Sequence, residues 1–185
     1  MDYFFEIKVM ADPEFSAPVL MNALFSKLHR ALVSVSQGDI AVSFPLLNAR
    51  NLGQILRIHG SLAALTKLEA LSWRKGLSDY TQASDIQPIP ATDQHCLVSR
   101  VHAKNNIDNL RRRAMKRHSI SYQEACQQLP EDKTKRLDLP FVQIKSQSTG
   151  ETFRLFIQQT RCPASQADQA FSKYGLSNTA SVPWF

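Results

Sequence analysis

The sequence predicts an α+β protein: an N-terminal sheet carrying two helices in βαββαβ order, followed by a smaller domain with an arginine-rich helix and a few strands. Three observations predict it. Strand-period and helix-period segments alternate through the first half of the chain. A Pro-rich polar stretch, Ser84 to Gln94 (SDIQPIPATDQ), then breaks the periodicity. Beyond it the cationic side chains crowd into one helical segment.

The elements follow in order. Tyr3 to Met10 alternates aromatic and β-branched residues with Glu6 and Lys8, a strand pattern. Ser16 can cap a helix with Pro18 in its first turn, and Leu20, Leu24, Leu28, Ala31 and Leu32 recur at helical spacing. At about 100° per residue, His29 falls on the edge of that apolar stripe. Ile40 to Pro45 and Leu52 to His59 read as strands, and Ser61 to Trp73 as a second amphipathic helix. The resulting βαββα order needs one more strand to become a ferredoxin-like sheet, and Leu97 to Ala103 is the candidate. The linker places the expected division at 1–94, the ferredoxin-like domain, and 95–185, the second domain.

In that second domain Asn105 or Asn106 can cap a helix on which Ile107, Leu110, Ala114 and His118 share one face. Arg112, Arg113, Lys116 and Arg117 then occupy the other sides. Ser121 and Glu124 have capping-box spacing ahead of a short helix that ends before Pro130. Phe141 to Lys145 and Thr152 to Gln158 read as strands joined by a hydroxyl-rich turn, Ser146 to Gly150. Phe153 and Phe156 lie on opposite faces of the second of these strands, so at least one is core and the other is free to stack on a base. The segment from Phe171 to Phe185 has no clear period.

Composition narrows the function. Arg100 to His118 holds seven Lys or Arg and one Asp, a local balance of +6 that equals the net charge of all 185 residues. So concentrated a charge suits a polyanion, because every phosphate neutralised releases condensed counterions. Cys96, Cys126 and Cys162 are scattered and form no metal-ligand or disulfide pattern. The first residues lack the basic start and apolar run of an export signal, so a cytoplasmic location is expected. No segment approaches the ~20 apolar residues of a membrane span, and no membrane partner is expected. Motifs of metal hydrolases, phosphate-loop enzymes and dinucleotide-binding enzymes are missing. RNA still permits chemistry without a cofactor, since its 2′-hydroxyl can attack the adjacent phosphodiester once a base removes the proton. From residues alone the reading ends at an RNA-binding two-domain protein with five candidate histidines, at 29, 59, 95, 102 and 118. The alternatives are a non-catalytic RNA-binding module and a DNA-binding helix-turn-helix over residues 107–129.

Longer stretches carry a resemblance. PEF from Pro13, VSFP from Val42, SRVxAK from Ser99, LRRRxMxRH from Leu110, LDLPFV from Leu137, SQSTGxxFRLFI from Ser146, YGLS from Tyr174 and VPWF from Val182 run in collinear order along the chain. Together they resemble the CRISPR repeat-processing endoribonucleases of type I-F systems. The resemblance implies an enzyme, monomeric when free and needing no cofactor or metal. It would bind the repeat stem-loop in precursor CRISPR RNA, cut at the 3′ base of the stem and keep the product inside a Csy surveillance complex with other protein subunits.

It also implies roles for residues. His29 would be the general acid/base, Ser146 would position the 2′-hydroxyl, and Tyr174 would orient the histidine. Arg112, Arg113, Lys116, Arg117 and Lys104 would contact the RNA, with Arg113, Lys116 and Arg117 along the stem phosphates. Arg100 and His102 would read base edges, Phe153 would stack under the terminal base pair, and Ser148 and Thr149 would hold the RNA beside the scissile phosphate. Two positions depart from the family pattern: Lys116 stands where arginine is usual and His102 where glutamine is expected. Only Gly175 stands where the wider repeat-processing family has a glycine-rich loop, so a degenerate second domain is expected.

Overall fold

The computed structural model describes all residues except 11, 103–106, 131–136, 147–149 and 165–169, and the side chains at 108 and 109. The chain forms two compact units. One comprises Met1–Val101 together with Leu139–Phe185, and the other His102–Asp138. The partition differs from the expected division after residue 94, because the strands flanking the arginine-rich segment, His95–Val101 and Phe141–Lys145, both pair with Thr152–Cys162 and share a core with the N-terminal sheet.

In the larger unit, β1 (Tyr3–Val9), β2 (Ala41–Ser43), β3 (Ile55–Gly60) and β4 (Thr81–Ala83) form an antiparallel sheet in the order β2-β3-β1-β4. With α1 (Ala17–Val35) between β1 and β2 and α2 (Leu62–Glu69) between β3 and β4, this is the expected βαββαβ unit. Its closing strand is a correction. Thr81–Ala83 pairs with Ile7 to Val9 of β1, whereas the expected Leu97 segment joins a different sheet. The stretch read as a linker is also tied down. Gln87–Pro88 (β5) pairs with Tyr3 and Phe4, extending the same edge of β1.

The second sheet contains β6 (His95–Val101), β7 (Phe141–Lys145), β8 (Thr152–Cys162) and β9 (Ser181–Pro183), all antiparallel in the order β7-β8-β6-β9. Its inner face is Cys96, Val98, Val142, Ile144, Leu155 and Ile157, all buried. These residues share one core with Phe5, Ile7, Leu56 and Ile58 of the first sheet and with the stripe Leu20, Leu24, Phe25, Leu28 and Leu32 of α1. α1 therefore packs against β1 and β7 alike, and Asn22 Oδ1 accepts a hydrogen bond from the Gln143 amide on the edge of β7 (2.9 Å). The helix that carries His29 is thus fixed to both sheets. Gln159 of β8 adds a two-way clasp, accepting from the Phe44 amide (2.9 Å) and donating to the Phe44 carbonyl (3.1 Å).

The smaller unit is a helix pair, α3 (Ile107–His118) and α4 (Tyr122–Gln128). Ser119 takes a left-handed φ of 53° in the turn, and the Ser121/Glu124 capping box starts α4 in both directions. Arg112, Arg113, Lys116 and Arg117 are exposed, as periodicity predicts. Arg111 is not one of them: it is buried, and its Nε donates to the Leu129 carbonyl at the end of α4 (3.1 Å). One cation of the run is therefore structural. The proposed caps Asn105 and Asn106 lie outside the described residues.

Among the described residues no helix is long and apolar enough to cross a membrane. The three cysteines are free thiols, and burial pushes Cys96 up to about 12, which leaves it unreactive.

His59 is fully buried on β3, its Nε2 within 2.8 Å of Ser43 Oγ and its Nδ1 without a hydrogen-bond partner. Burial, and then the charge of Arg57, push its pKa down to about 3. The unfolded chain, with histidine near its ordinary value of about 6.5, binds this proton more readily than the folded protein between those limits. Stability is therefore complete above pH 6.5 and falls as the pH drops toward 3, by about 1.4 kcal/mol per pH unit from this group. His59→Gln should remove that component. Urea midpoints measured between pH 4 and 7 are expected to slope less steeply in the variant; equal slopes would show that the buried imidazole is not a source of acid lability.

Candidate active site

The site is assembled from α1, the β7–β8 hairpin and the turn around Tyr174. Of the residues of α1, the stripe Leu24, Phe25, Leu28 and Leu32 is buried while His29 is half-exposed at its rim, as its angular position predicts. The hairpin brings Ser146 and Phe153 beside it. Gly150, in the left-handed region at φ 70°, closes the turn, its amide donating to the Ser146 carbonyl (3.0 Å), while the Ser146 amide donates to Glu151 (2.8 Å).

The third element comes from the aperiodic C-terminal segment. Its turn depends on Gly175, which has φ 70° and whose absent Cβ would meet Val42 Cγ1 at 2.9 Å. The Gly175 carbonyl accepts from the Val42 amide (3.0 Å) and its own amide donates to Ser172 (2.8 Å). Lys173 anchors the same turn to α1 by donating its Nζ to the Ser36 carbonyl at the helix end.

These elements line a cleft of about 720 Å³ that contains His29, Ser146, Phe153 and Tyr174 together with Ser26, Arg30, Ile144, Lys145 and Gly150. The Tyr174 ring stacks on the His29 imidazole, with centroids 4.1 Å apart and planes 14° from parallel. Phe25 lies nearly parallel to the same tyrosine at 6.5 Å. His29 Nδ1 is 2.9 Å from the Lys173 carbonyl oxygen. A carbonyl only accepts, so Nδ1 carries a hydrogen and, in the neutral ring, Nε2 is the nitrogen left to take a proton. The tautomer and the tilt of the imidazole are thus both set by the Tyr174 turn. Arg100 of β6 places its guanidinium over the Phe153 ring (5.6 Å) and the Tyr174 ring (5.9 Å), which adds a cation to the edge of the stacked cluster.

Four sequence candidates, His29, Ser146, Phe153 and Tyr174, therefore meet in one cleft, with Arg100 against two of their rings. His102, Arg112, Arg113, Lys116 and Arg117 belong to the other unit, where all five are exposed. Lys104, Ser148 and Thr149 lie outside the described residues. Sequence reasoning missed Ser26, Arg30, Lys145 and the Lys173 carbonyl. Ser26 and Arg30 were within reach of it, since Ser26 is three residues before His29 and Arg30 is four after Ser26, spacings that make helical neighbours. The Lys173 carbonyl has no signature, because any residue supplies one. Among the described residues no three His, Cys, Asp or Glu side chains are grouped as metal ligands.

Over its full length the chain is 46% identical to a protein of Escherichia coli (strain UTI89 / UPEC) named CRISPR-associated endonuclease Cas6/Csy4, also covering all of that protein. It is 44% identical over 187 aligned positions, again with complete coverage of both, to a protein of the same name from Pseudomonas aeruginosa (strain UCBPP-PA14). Residues 4–185 match the family model of CRISPR-associated protein Cas_Csy4, and the chain belongs to that family.

Proposed function

We propose that this protein is an endoribonuclease that processes precursor CRISPR RNA. It binds the stem-loop of each repeat and cuts once at the 3′ base of the stem, without a metal ion. The His29 geometry is the observation that carries the reading: an imidazole whose tautomer and plane are fixed by a carbonyl and a stacked tyrosine, in a cleft it shares with a serine. Such a group suits proton transfer with the RNA's own 2′-hydroxyl. That oxygen attacks the adjacent phosphorus, its proton passes to His29 Nε2, and the bond to the 5′-oxygen breaks. The 5′-oxygen gains a proton, leaving a 2′,3′-cyclic phosphate upstream. Ser146 positions the 2′-hydroxyl and Tyr174 orients the imidazole.

The remaining assignments belong to the same proposal. Residues 1–94 supply the histidine, and residues 95–185 supply the RNA contacts. Arg112, Arg113, Lys116 and Arg117 engage the stem with Lys104, Arg100 and His102 read base edges, Phe153 stacks on the terminal base pair, and Ser148 and Thr149 hold the RNA near the scissile phosphate. The protein, a cytoplasmic monomer when free, stays on its product as a subunit of the Csy complex. The names of the full-length relatives support the endonuclease activity and its CRISPR setting. The exposed cations of α3 support a polyanionic partner.

The test is incubation with a repeat-containing RNA in excess EDTA, which is expected to yield one discrete cut. Cutting that requires added magnesium would overturn metal independence. Binding without cutting under either condition would leave a non-catalytic RNA-binding module. Equal competition by duplex DNA would favour the helix-turn-helix reading, for which the α3–α4 pair with its Ser119 turn is the structural basis.

A further inference from the structure

The second sheet has an outer face that the chemistry above does not use. Registry places Phe141 opposite Phe156 and Gln143 opposite Arg154, so these side chains share the face turned away from Leu155, Ile157, Val142 and Ile144. The two phenylalanines are half-buried and meet edge to face with centroids 5.5 Å apart. Arg154 is exposed and lays its guanidinium over Phe141 at 4.7 Å. Gln143, Lys145 and Gln158 are exposed on the same side. The four strands of this sheet contain no Asp or Glu.

A cross-strand aromatic pair alone would be ordinary sheet stabilisation. Joined by a stacked arginine, amide side chains and uniformly non-negative charge, it has the make-up of a platform for unpaired bases. Bases stack on rings and on guanidinium planes, amides bond their edges, and cations accompany the backbone. We propose that this face binds single-stranded RNA, namely the strand that continues 3′ of the cut. The location supports that source. Ser146, assigned to position the 2′-hydroxyl, follows directly on the end of β7, and Lys145 begins the outer face at that same end. From that end the registry sets Lys145 and Thr152 first, then Gln143 and Arg154, then Phe141 and Phe156, and this is the order in which the proposed 3′ strand would meet them. The surface would hold the downstream strand until the cut is made.

The inference rests on the RNA-cleavage reading, and the experiment separates the two. Repeat hairpins carrying one 2′-deoxy nucleotide at the cut are prepared without extension, with about ten unpaired nucleotides 5′, or with about ten 3′. Wild-type protein should bind the 3′-extended form roughly tenfold more tightly than the bare hairpin. Arg154→Glu should abolish that gain while leaving bare-hairpin affinity, and the cleavage rate of an all-ribose repeat RNA, unchanged. Lys8→Glu, reversing an exposed charge on β1, should leave the gain in place, which controls for a general electrostatic effect. Gln158→Ala, a change on the exposed side of β8, should reduce it partially. A gain from the 5′ extension instead, no gain from either, or equal loss in both charge reversals would each overturn the proposal. Failure to bind the bare hairpin at all would instead overturn the underlying RNA reading.

Discussion

A repeat hairpin with a single 2′-deoxy nucleotide immediately 5′ of the cut is expected to bind with unchanged affinity and to remain intact, with or without magnesium. The proposed reaction uses one atom of the substrate as its nucleophile, so removing that oxygen removes the reaction rather than slowing it. Affinity is carried by contacts along the stem, chiefly phosphate contacts that the deletion does not touch. The all-ribose control should leave a 2′,3′-cyclic phosphate on its upstream fragment, which mass spectrometry distinguishes from a 3′-hydroxyl. Cleavage of the deoxy substrate, or a 3′-hydroxyl product, would mean that water attacks and that the roles of His29 and Ser146 are misassigned.

His29→Ala is expected to slow cleavage by about 10²- to 10⁴-fold, the usual worth of a positioned proton-transfer group, while RNA affinity stays near wild type. Affinity and fold survive because the residue sits at the rim of α1, outside the buried stripe of Leu24, Phe25, Leu28 and Leu32. Losing the imidazole also removes one neighbour of Tyr174, yet Phe25 and the Gly175 turn still hold that ring. Gel-shift titration and a single-turnover time course on the same preparation measure the two effects. Cleavage within about threefold of wild type, far below the usual effect of losing an acid/base group, would remove His29 from the mechanism.

Much of the architecture was legible because it is local. Ser16 and Pro18 announce the start of α1, Ser121 and Glu124 that of α4, and the alternation in Phe141–Lys145 and in the strand from Thr152 gives two strands their faces. The rim position of His29 follows from helical angle alone. Thr81–Ala83 escaped because three residues are too few for a period; that strand exists through its bonds to β1. Leu97–Val101 was recognisable as a strand, but its neighbours, β8 and β9, are distant in sequence, and periodicity says nothing of partners. Arg111 differs from its cationic neighbours: four residues after Ile107, it falls on the inner face of α3, where the Leu129 carbonyl accepts from its Nε.

By itself, then, the sequence determined the fold class, the basic face of α3, the helix edge that holds His29 and, through its ordered motifs, the family. These depend on residue type and short spacing. The tertiary structure alone decided that β6 leaves the first sheet for the second, that an aperiodic tail folds into the turn carrying Tyr174, and that a Lys173 carbonyl fixes the His29 tautomer. Each depends on a contact across a long stretch of chain, made by backbone groups or by packing against a glycine, and neither leaves a periodic mark in the order of residues.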